Sequence, residues 1–320
     1  MSERAATAAS VGEPPAARLP DASRQPARAR PEGDAPRSAA KDFLALTKPR
    51  ITLLVVLTTL VGYWEGRSGA TDTALLVNTL VGTALVAAAA SALNQYAEWR
   101  ADAVMRRTAK RPLPAGRLQP HVAFGFGLVL WTLGAAWLRL MVNPLSSLLA
   151  IITAASYLLA YTPLKKLTSL ATVVGAVPGA IPPLIGWAAA RDGLGWGAWA
   201  LFLIVFLWQM PHFLAIAALF RRDYEAAGFR MLPVVEPEGR STGRQAVLYA
   251  LALIPVSLMP AFLGMAGTIY ATGALLLSGL FLAAAVHFML APAQPARARR
   301  LFRLSLVYLP VVMVLLVAGS

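Results

Sequence analysis

Apolar residues come in long blocks along this chain. They fill 51–64, 74–93, 121–141, 145–163, 168–190, 194–219, 245–264, 268–291 and 302–318. Most blocks reach the roughly 20 residues that carry an α-helix across about 30 Å of hydrocarbon. The pattern predicts an all-α protein with nine transmembrane helices. Residues 1–40 are rich in Ala, Pro and Arg and have no hydrophobic period, which predicts a disordered tail. Residues 41–320 form one continuous membrane domain, with no linker long enough to separate two folded units.

One block differs from the rest. "VVGAVPGAIPPLIGWAAA" holds Gly175, Pro178, Gly179, Pro182, Pro183 and Gly186, which cannot all sit in an undisturbed helix. Backbone broken at membrane depth is tolerated only against protein or water, so this span is expected to line an internal cavity.

Composition agrees with a polytopic membrane protein: 58% of residues are hydrophobic, 14% are charged, and the mean hydropathy is +0.61. The absence of cysteine excludes disulfides, thiolate metal sites and covalent haem attachment. The net charge of +14 would suit a nucleic-acid partner, but the positions of the charges argue against one. Stretches 95–120, 164–167, 220–244 and 291–303 hold six, two, five and four Lys or Arg, whereas the alternate loops hold only Arg67, Arg139 and Arg191. This is the positive-inside asymmetry, and it predicts a multi-pass protein of the cell (inner) membrane with a cytoplasmic N-terminus. Glu3, Glu13, Asp21, Glu32 and Asp34 make the tail too acidic for an organellar transit peptide.

The end of the second block carries candidate chemistry. In "NQYAEWRADAVMRRTAKRPLPAG", Asn94, Glu98 and Asp102 recur every four residues and so project from one helix face. A solvated helix end is the ordinary alternative. Against it, a helix C-terminus carries partial negative charge and disfavours carboxylates unless a cation compensates. Carboxylate and amide oxygens without His or Cys suit Mg²⁺ better than Zn²⁺, and Mg²⁺ commonly shares its shell with substrate phosphates. Arg106, Arg107, Lys110 and Arg111 follow, a cationic complement for a diphosphate. These charges could equally neutralise the acids as plain ion pairs. On the same face, "FRRDYEAAGFRMLP" adds Arg221, Arg222, Asp223 and Glu225, and "YTPLKKLTS" adds Tyr161, Lys165 and Lys166.

Taken in order, "NQYAEWRADAVMRRTAKRPLPAG", "YTPLKK", "VVGAVPGAIPPLIGW", "WQMPHF" and "RRDYEAAGFRMLP" resemble the haem-farnesylating branch of the UbiA-type intramembrane prenyltransferases. The likeness runs from "LTKPR" to the last span and omits only the tail. It implies nine helices bundled around a central cavity open towards lipid. The implied reaction joins the farnesyl chain of farnesyl diphosphate to a vinyl group of haem B, adds water, and releases diphosphate to give haem O. By the same resemblance, Asn94, Glu98 and Asp102 are the first metal-diphosphate motif and Asp223 belongs to the second, with Mg²⁺ as cofactor. Arg107, Arg111, Lys165 and Lys166 match positions that hold diphosphate oxygens. Where many relatives carry a second acid in the later motif, this chain has Ala227, which leaves a second Mg²⁺ open.

Other residues keep two readings. Tyr161 either shields a carbocation with its ring face or anchors the helix end at the interface. His212, beside Pro211, is a candidate haem contact or a hydrogen-bonded core histidine. Gln209 and Trp208 are weaker candidates, and His121 and His287 read as structural. Lys48, Arg50 or the loop arginines are available to haem propionates. Expected partners are the two substrates and the bilayer, with haem A synthase or a terminal-oxidase assembly as a further contact. A secondary transporter shares the outline of many broken spans but would carry its charges near the midplane. A prenyltransferase acting on aromatic rings in quinone or chlorophyll synthesis is the third alternative.

Overall fold

The computed structural model describes residues 38–320. All regular structure among them is helical. A short helix α1 (Ala39–Leu46) precedes α2 (Pro49–Gly66), and the two meet at 45°. At the joint Lys48 has φ +46°, a left-handed conformation unfavourable for a residue with a Cβ. The chain continues through α3 (Thr73–Val104), α4 (Pro120–Met141), α5 (Pro144–Ala155), a π-helical segment (Ser156–Tyr161) and α6 (Thr162–Leu167). Then come α7 (Ala171–Ala180), α8 (Pro182–Arg191), α9 (Trp196–Leu219), α10 (Arg221–Ala226) and α11 (Leu232–Val235). The last three are α12 (Arg240–Phe262), α13 (Thr268–Met289) and α14 (Pro295–Gly319).

Eight helical stretches are long and apolar enough to span a membrane, and the bent α1–α2 pair makes a ninth. This is an integral multi-pass membrane protein with the expected all-α architecture. The expected tail lies outside the described residues except for its last residues, where Ala39 and Ala40 already open α1. That short helix is docked rather than free: Arg117 pairs with buried Asp42 at 2.9 Å, and Gln95 Nε2 donates to the Leu46 carbonyl at 2.8 Å.

The Pro/Gly-rich span is interrupted at Ile181, ahead of the prolines at 182 and 183, which lack N–H donors. Ile181 keeps helical angles (φ −70°, ψ −30°), so the break interrupts hydrogen bonding more than direction. With α9, this span is the most enclosed: 72% and 67% of their apolar windows are buried, against 39% or less for the other six. Its glycines allow backbone contact with α2. A Cβ on Gly186 would lie 1.9 Å from the Thr59 carbonyl oxygen, and one on Gly62 2.0 Å from that of Pro183.

Helix α3 is longer than a bilayer requires. Its 32 residues extend about 48 Å at 1.5 Å per residue, so the last turns, with Asn94, Glu98 and Asp102, continue the same rigid rod.

Candidate active site

The stripe on α3 is buried. Asn94, Glu98 and Asp102 are 3%, 8% and 1% exposed, which removes the solvated-helix-end alternative. Their charges are met from neighbouring segments. Lys165 Nζ donates to both Glu98 oxygens at 2.8 and 3.0 Å, and Arg111 Nη1 donates to Asp102 Oδ2 at 2.6 Å. Thr108 Oγ1 donates to the Asp102 carbonyl at 2.9 Å and shapes the loop that returns Arg111. The acids thus pair with the chain's own cations, as the sequence left open. Asp102 Oδ1 nevertheless stays buried without a hydrogen-bond partner.

The π-helical segment supplies an aromatic pair. Pro163 has no N–H to return to the carbonyl four residues back, and the Thr162 N–H instead reaches the Tyr157 carbonyl, five residues back. The wider turn places Tyr157 and Tyr161 together, ring centroids 5.3 Å apart. Tyr157 Oη donates to Asn94 Oδ1 at 3.0 Å, and Lys165 Nζ stands 4.3 Å from the Tyr161 ring centroid. The Tyr161 ring packs on Gly175 of α7, where a Cβ would come within 2.5 Å of it. Tyr157 escaped sequence reasoning, although it lies four residues before Tyr161 and eight before Lys165 on one helical face. Tyr157→Phe removes one hydrogen bond to Asn94, of net value about 0.5–1.5 kcal/mol. It should lower prenyl-transfer turnover by roughly three- to tenfold in membranes; an unchanged rate would show that Asn94 needs no positioning.

Asp223, on α10, joins the first motif to the second. Its Oδ1 and Oδ2 accept from the Arg106 and Arg107 backbone N–H groups, each at 3.4 Å. The Arg107 guanidinium lies 3.4 Å from the Tyr224 hydroxyl and 4.9 Å from the Phe220 ring centroid. The Arg230 N–H donates to the Lys165 carbonyl at 2.7 Å and ties the α10–α11 connection to α6. Lys166 is exposed and forms no ion pair among the described residues. Glu225 is exposed as well.

Beneath this cluster lies a cavity of about 360 Å³, within the roughly 300–1,000 Å³ range of ligand pockets. Lys48, Tyr157 and Tyr161 line one part of it; Gly175, Pro178, Gly179 and Pro182 of the broken span line another, as expected. The remaining wall is mostly aliphatic, with Trp208, Gln209 and His212 from α9. Lys48 lies within electrostatic reach of Arg111, Lys165, Glu98 and Asp102. The left-handed backbone at Lys48 turns α1 into α2 beside the charged cluster. His212 Nδ1 is 2.6 Å from Ser305 Oγ, and its ring packs against Trp208 and Phe302, centroids 5.1 and 5.2 Å away.

Residues 55–307 match the UbiA prenyltransferase family. The chain belongs to that family. This prenyltransferase is 48% identical over 281 residues to a protoheme IX farnesyltransferase of Solibacter usitatus, covering 85% of this chain and 96% of the relative. It is 45% identical over 282 residues to one of Koribacter versatilis, covering 85% and 91%. Among solved structures, a digeranylgeranylglyceryl phosphate synthase aligns with a TM-score of 0.73 at 19% identity, covering 88% of the prenyltransferase and 98% of that chain. A UbiA homologue from Archaeoglobus fulgidus, bound to DMAPP and Mg²⁺, aligns at 0.61 and 14%, covering 87% and 99%. These two likenesses show the fold. The prenyltransferase assignment sets the transporter alternative aside.

Proposed function

We propose that this enzyme transfers the farnesyl group of farnesyl diphosphate to a vinyl group of haem B, with addition of water, giving haem O and diphosphate. The observation that carries the reading is a buried oxygen stripe with its paired cations, joined through Tyr157 and Tyr161 to an apolar chamber that those two rings line. The protoheme IX farnesyltransferases among its relatives support the choice of haem over a quinone-type ring.

The farnesyl tail lies along the aliphatic wall, and its diphosphate sits at the mouth against Lys165, Arg111 and Arg107. Exposed Lys166 serves as an outer contact. Asn94, Glu98 and Asp102 on α3, with Asp223 on α10, would hold Mg²⁺. The donors fit the ion: all are hard oxygens, and Asp102 Oδ1 is buried and unpartnered. Among the described residues no three His, Cys, Asp or Glu side chains form a metal site by themselves, so diphosphate oxygens and water would complete the shell. When bound, Mg²⁺ neutralises charge on the leaving diphosphate and so eases cleavage of the allylic C–O bond. Lys165 and Arg111, now paired with Glu98 and Asp102, would neutralise the diphosphate in turn. Tyr161 offers its ring face to the allylic cation. Haem B occupies the deeper chamber in contact with His212, and Lys48 is placed for a propionate.

The positive-inside asymmetry supports an inner-membrane enzyme whose N-terminus and cavity mouth face the cytoplasm. Product this apolar stays in the bilayer, and direct contact with haem A synthase or an assembling terminal oxidase is the matching partner proposal, checked by co-purification.

The test is reconstitution of purified enzyme in lipid nanodiscs with haem B and farnesyl diphosphate, followed by pigment chromatography. A farnesylated haem should form only with both substrates. Prenylation of a quinone-precursor ring without prenylation of haem would overturn the reading. Chelation with EDTA should lower diphosphate release by about 10²-fold or more, in line with loss of a principal electrostatic contribution, and Mg²⁺ should restore it. Release that persists after exhaustive chelation would remove the metal from the scheme.

A further inference from the structure

The cavity is apolar except for a few groups, and two of them are lone-pair acceptors without donors. The first is His212 Nε2. Ser305 Oγ donates to the Phe302 carbonyl at 2.6 Å, so its single proton is committed. The 2.6 Å contact between Ser305 Oγ and His212 Nδ1 therefore requires the imidazole to donate. The ring is thereby fixed as the Nδ1–H tautomer, and Nε2 carries a free lone pair. Trp208, whose Nε1 donates to the Ser305 carbonyl at 2.8 Å, and Phe302 both pack against the ring.

The second acceptor is Gln209 Oε1. The amide nitrogen donates to the Ala176 and Val205 carbonyls at 3.3 and 3.1 Å, which assigns the amide orientation and leaves the oxygen as the free end. That oxygen lies over Gly179, where a Cβ would come within 2.1 Å of it; Gly179 itself lines the cavity. Neither Oε1 nor Nε2 has a hydrogen-bond donor among the described residues, and both residues line the chamber. Residues 209 and 212 are three apart on α9 and share one face.

Two acceptors that face one apolar chamber want a ligand with two donor hydrogens. Water is the smallest such ligand, and two polar partners meet its minimum requirement. Held by both hydrogens, it presents its oxygen lone pairs away from α9 and into the chamber. We infer that His212 Nε2 and Gln209 Oε1 hold the water that adds to the prenylated vinyl group, with His212 taking its proton.

This inference rests on the haem-farnesylating reading. In the first step, the farnesyl C1–O bond breaks with its electron pair on diphosphate, and the vinyl π pair forms the new C–C bond. The other vinyl carbon becomes a cation. In the second, a water lone pair forms the C–O bond, one O–H pair stays on oxygen, and the proton passes to Nε2. Nothing is oxidised or reduced. Ser305 Oγ accepts only a hydrogen bond from Nδ1–H, because a neutral serine hydroxyl is too weak a base to take the proton itself. Without a held water the cation instead loses a proton from the adjacent carbon and gives an alkene, a product lighter by one water.

The experiment compares wild type, His212→Asn and Gln209→Leu in nanodiscs with haem B and farnesyl diphosphate. Mass spectrometry reads the hydroxylated share of all farnesylated haem, and the Soret band of bound haem is recorded in parallel. General-base assistance contributes roughly 10²–10⁴-fold, so the hydroxylated share should fall at least tenfold in His212→Asn. A smaller fall is expected in Gln209→Leu, with the alkene rising in both and the Soret band unmoved in Gln209→Leu. Gln209→Leu keeps the test decisive if His212→Asn fails to fold. A wild-type share in the folded variants overturns the inference. So does a displaced Soret band with an unchanged share in His212→Asn, which would make Nε2 an iron ligand. If wild type farnesylates no haem at all, the underlying reading fails instead.

Discussion

Asp102→Asn is expected to reduce farnesyl transfer about 10²–10³-fold in membranes that contain normal amounts of protein, the loss typical of removing one preorganised electrostatic group. The substitution keeps side-chain size, deletes one charge and turns one acceptor oxygen into an NH₂ donor at a site 1% exposed. Two consequences follow in this geometry. On the proposed reading the unpartnered Oδ1 would lose its value as a metal ligand, and Arg111 loses the anion that holds it at 2.6 Å. A second variant separates them. Arg111→Met should raise the KM for farnesyl diphosphate with little change in Mg²⁺ dependence, whereas Asp102→Asn should raise the Mg²⁺ concentration needed for half-maximal turnover. Identical kinetics in the two variants would reduce Asp102 to a support for Arg111. Near-normal turnover of Asp102→Asn would remove it from the site.

The second large effect is on the fold. Gly186→Ala puts a methyl group 1.9 Å from the Thr59 carbonyl oxygen and 2.6 Å from the Tyr63 nitrogen. Both obstacles are backbone, and no rotamer change relieves them. Overpacking of this kind costs about 3 kcal/mol or more when main chains must separate. That corresponds to a fall of roughly 5 °C in Tm for a chain of this size. Gly62→Ala, facing the Pro183 carbonyl at 2.0 Å, should behave alike. Gly125 of α4 has nothing within 4 Å of its would-be Cβ, and Gly125→Ala should leave stability within about 1 kcal/mol of wild type. Thermal unfolding in detergent, followed by size-exclusion chromatography, measures all three. A Gly186→Ala protein as stable as Gly125→Ala would mean that α2 and α8 do not pack as closely as described.

Most of the site was legible because its signals are local. Asn94, Glu98 and Asp102 share a face by helical periodicity, and the Pro/Gly-rich span announced a cavity wall because broken backbone needs protein or water beside it. The tyrosine pair was half legible. Tyr161 was marked by its place beside Lys165, whereas Tyr157 depends on a π turn that only the folded helix displays. Lys165 and Lys166 look equivalent in sequence, yet one residue is about 100° on a helix. Lys165 consequently reaches buried Glu98 and Lys166 faces out.

By itself the sequence determined the class, a count of spans close to the eight or nine observed, and the shared face of the polar stripe on α3. Helix length, period and charge asymmetry follow from bilayer thickness and solvation, which act on each segment without reference to its neighbours. Tertiary structure alone decided which cation meets which acid, that Asp223 anchors the loop after α3, and that His212 Nδ1 meets Ser305 Oγ. Those facts depend on groups brought together across 93 residues in the case of His212 and Ser305, and no local rule encodes that meeting.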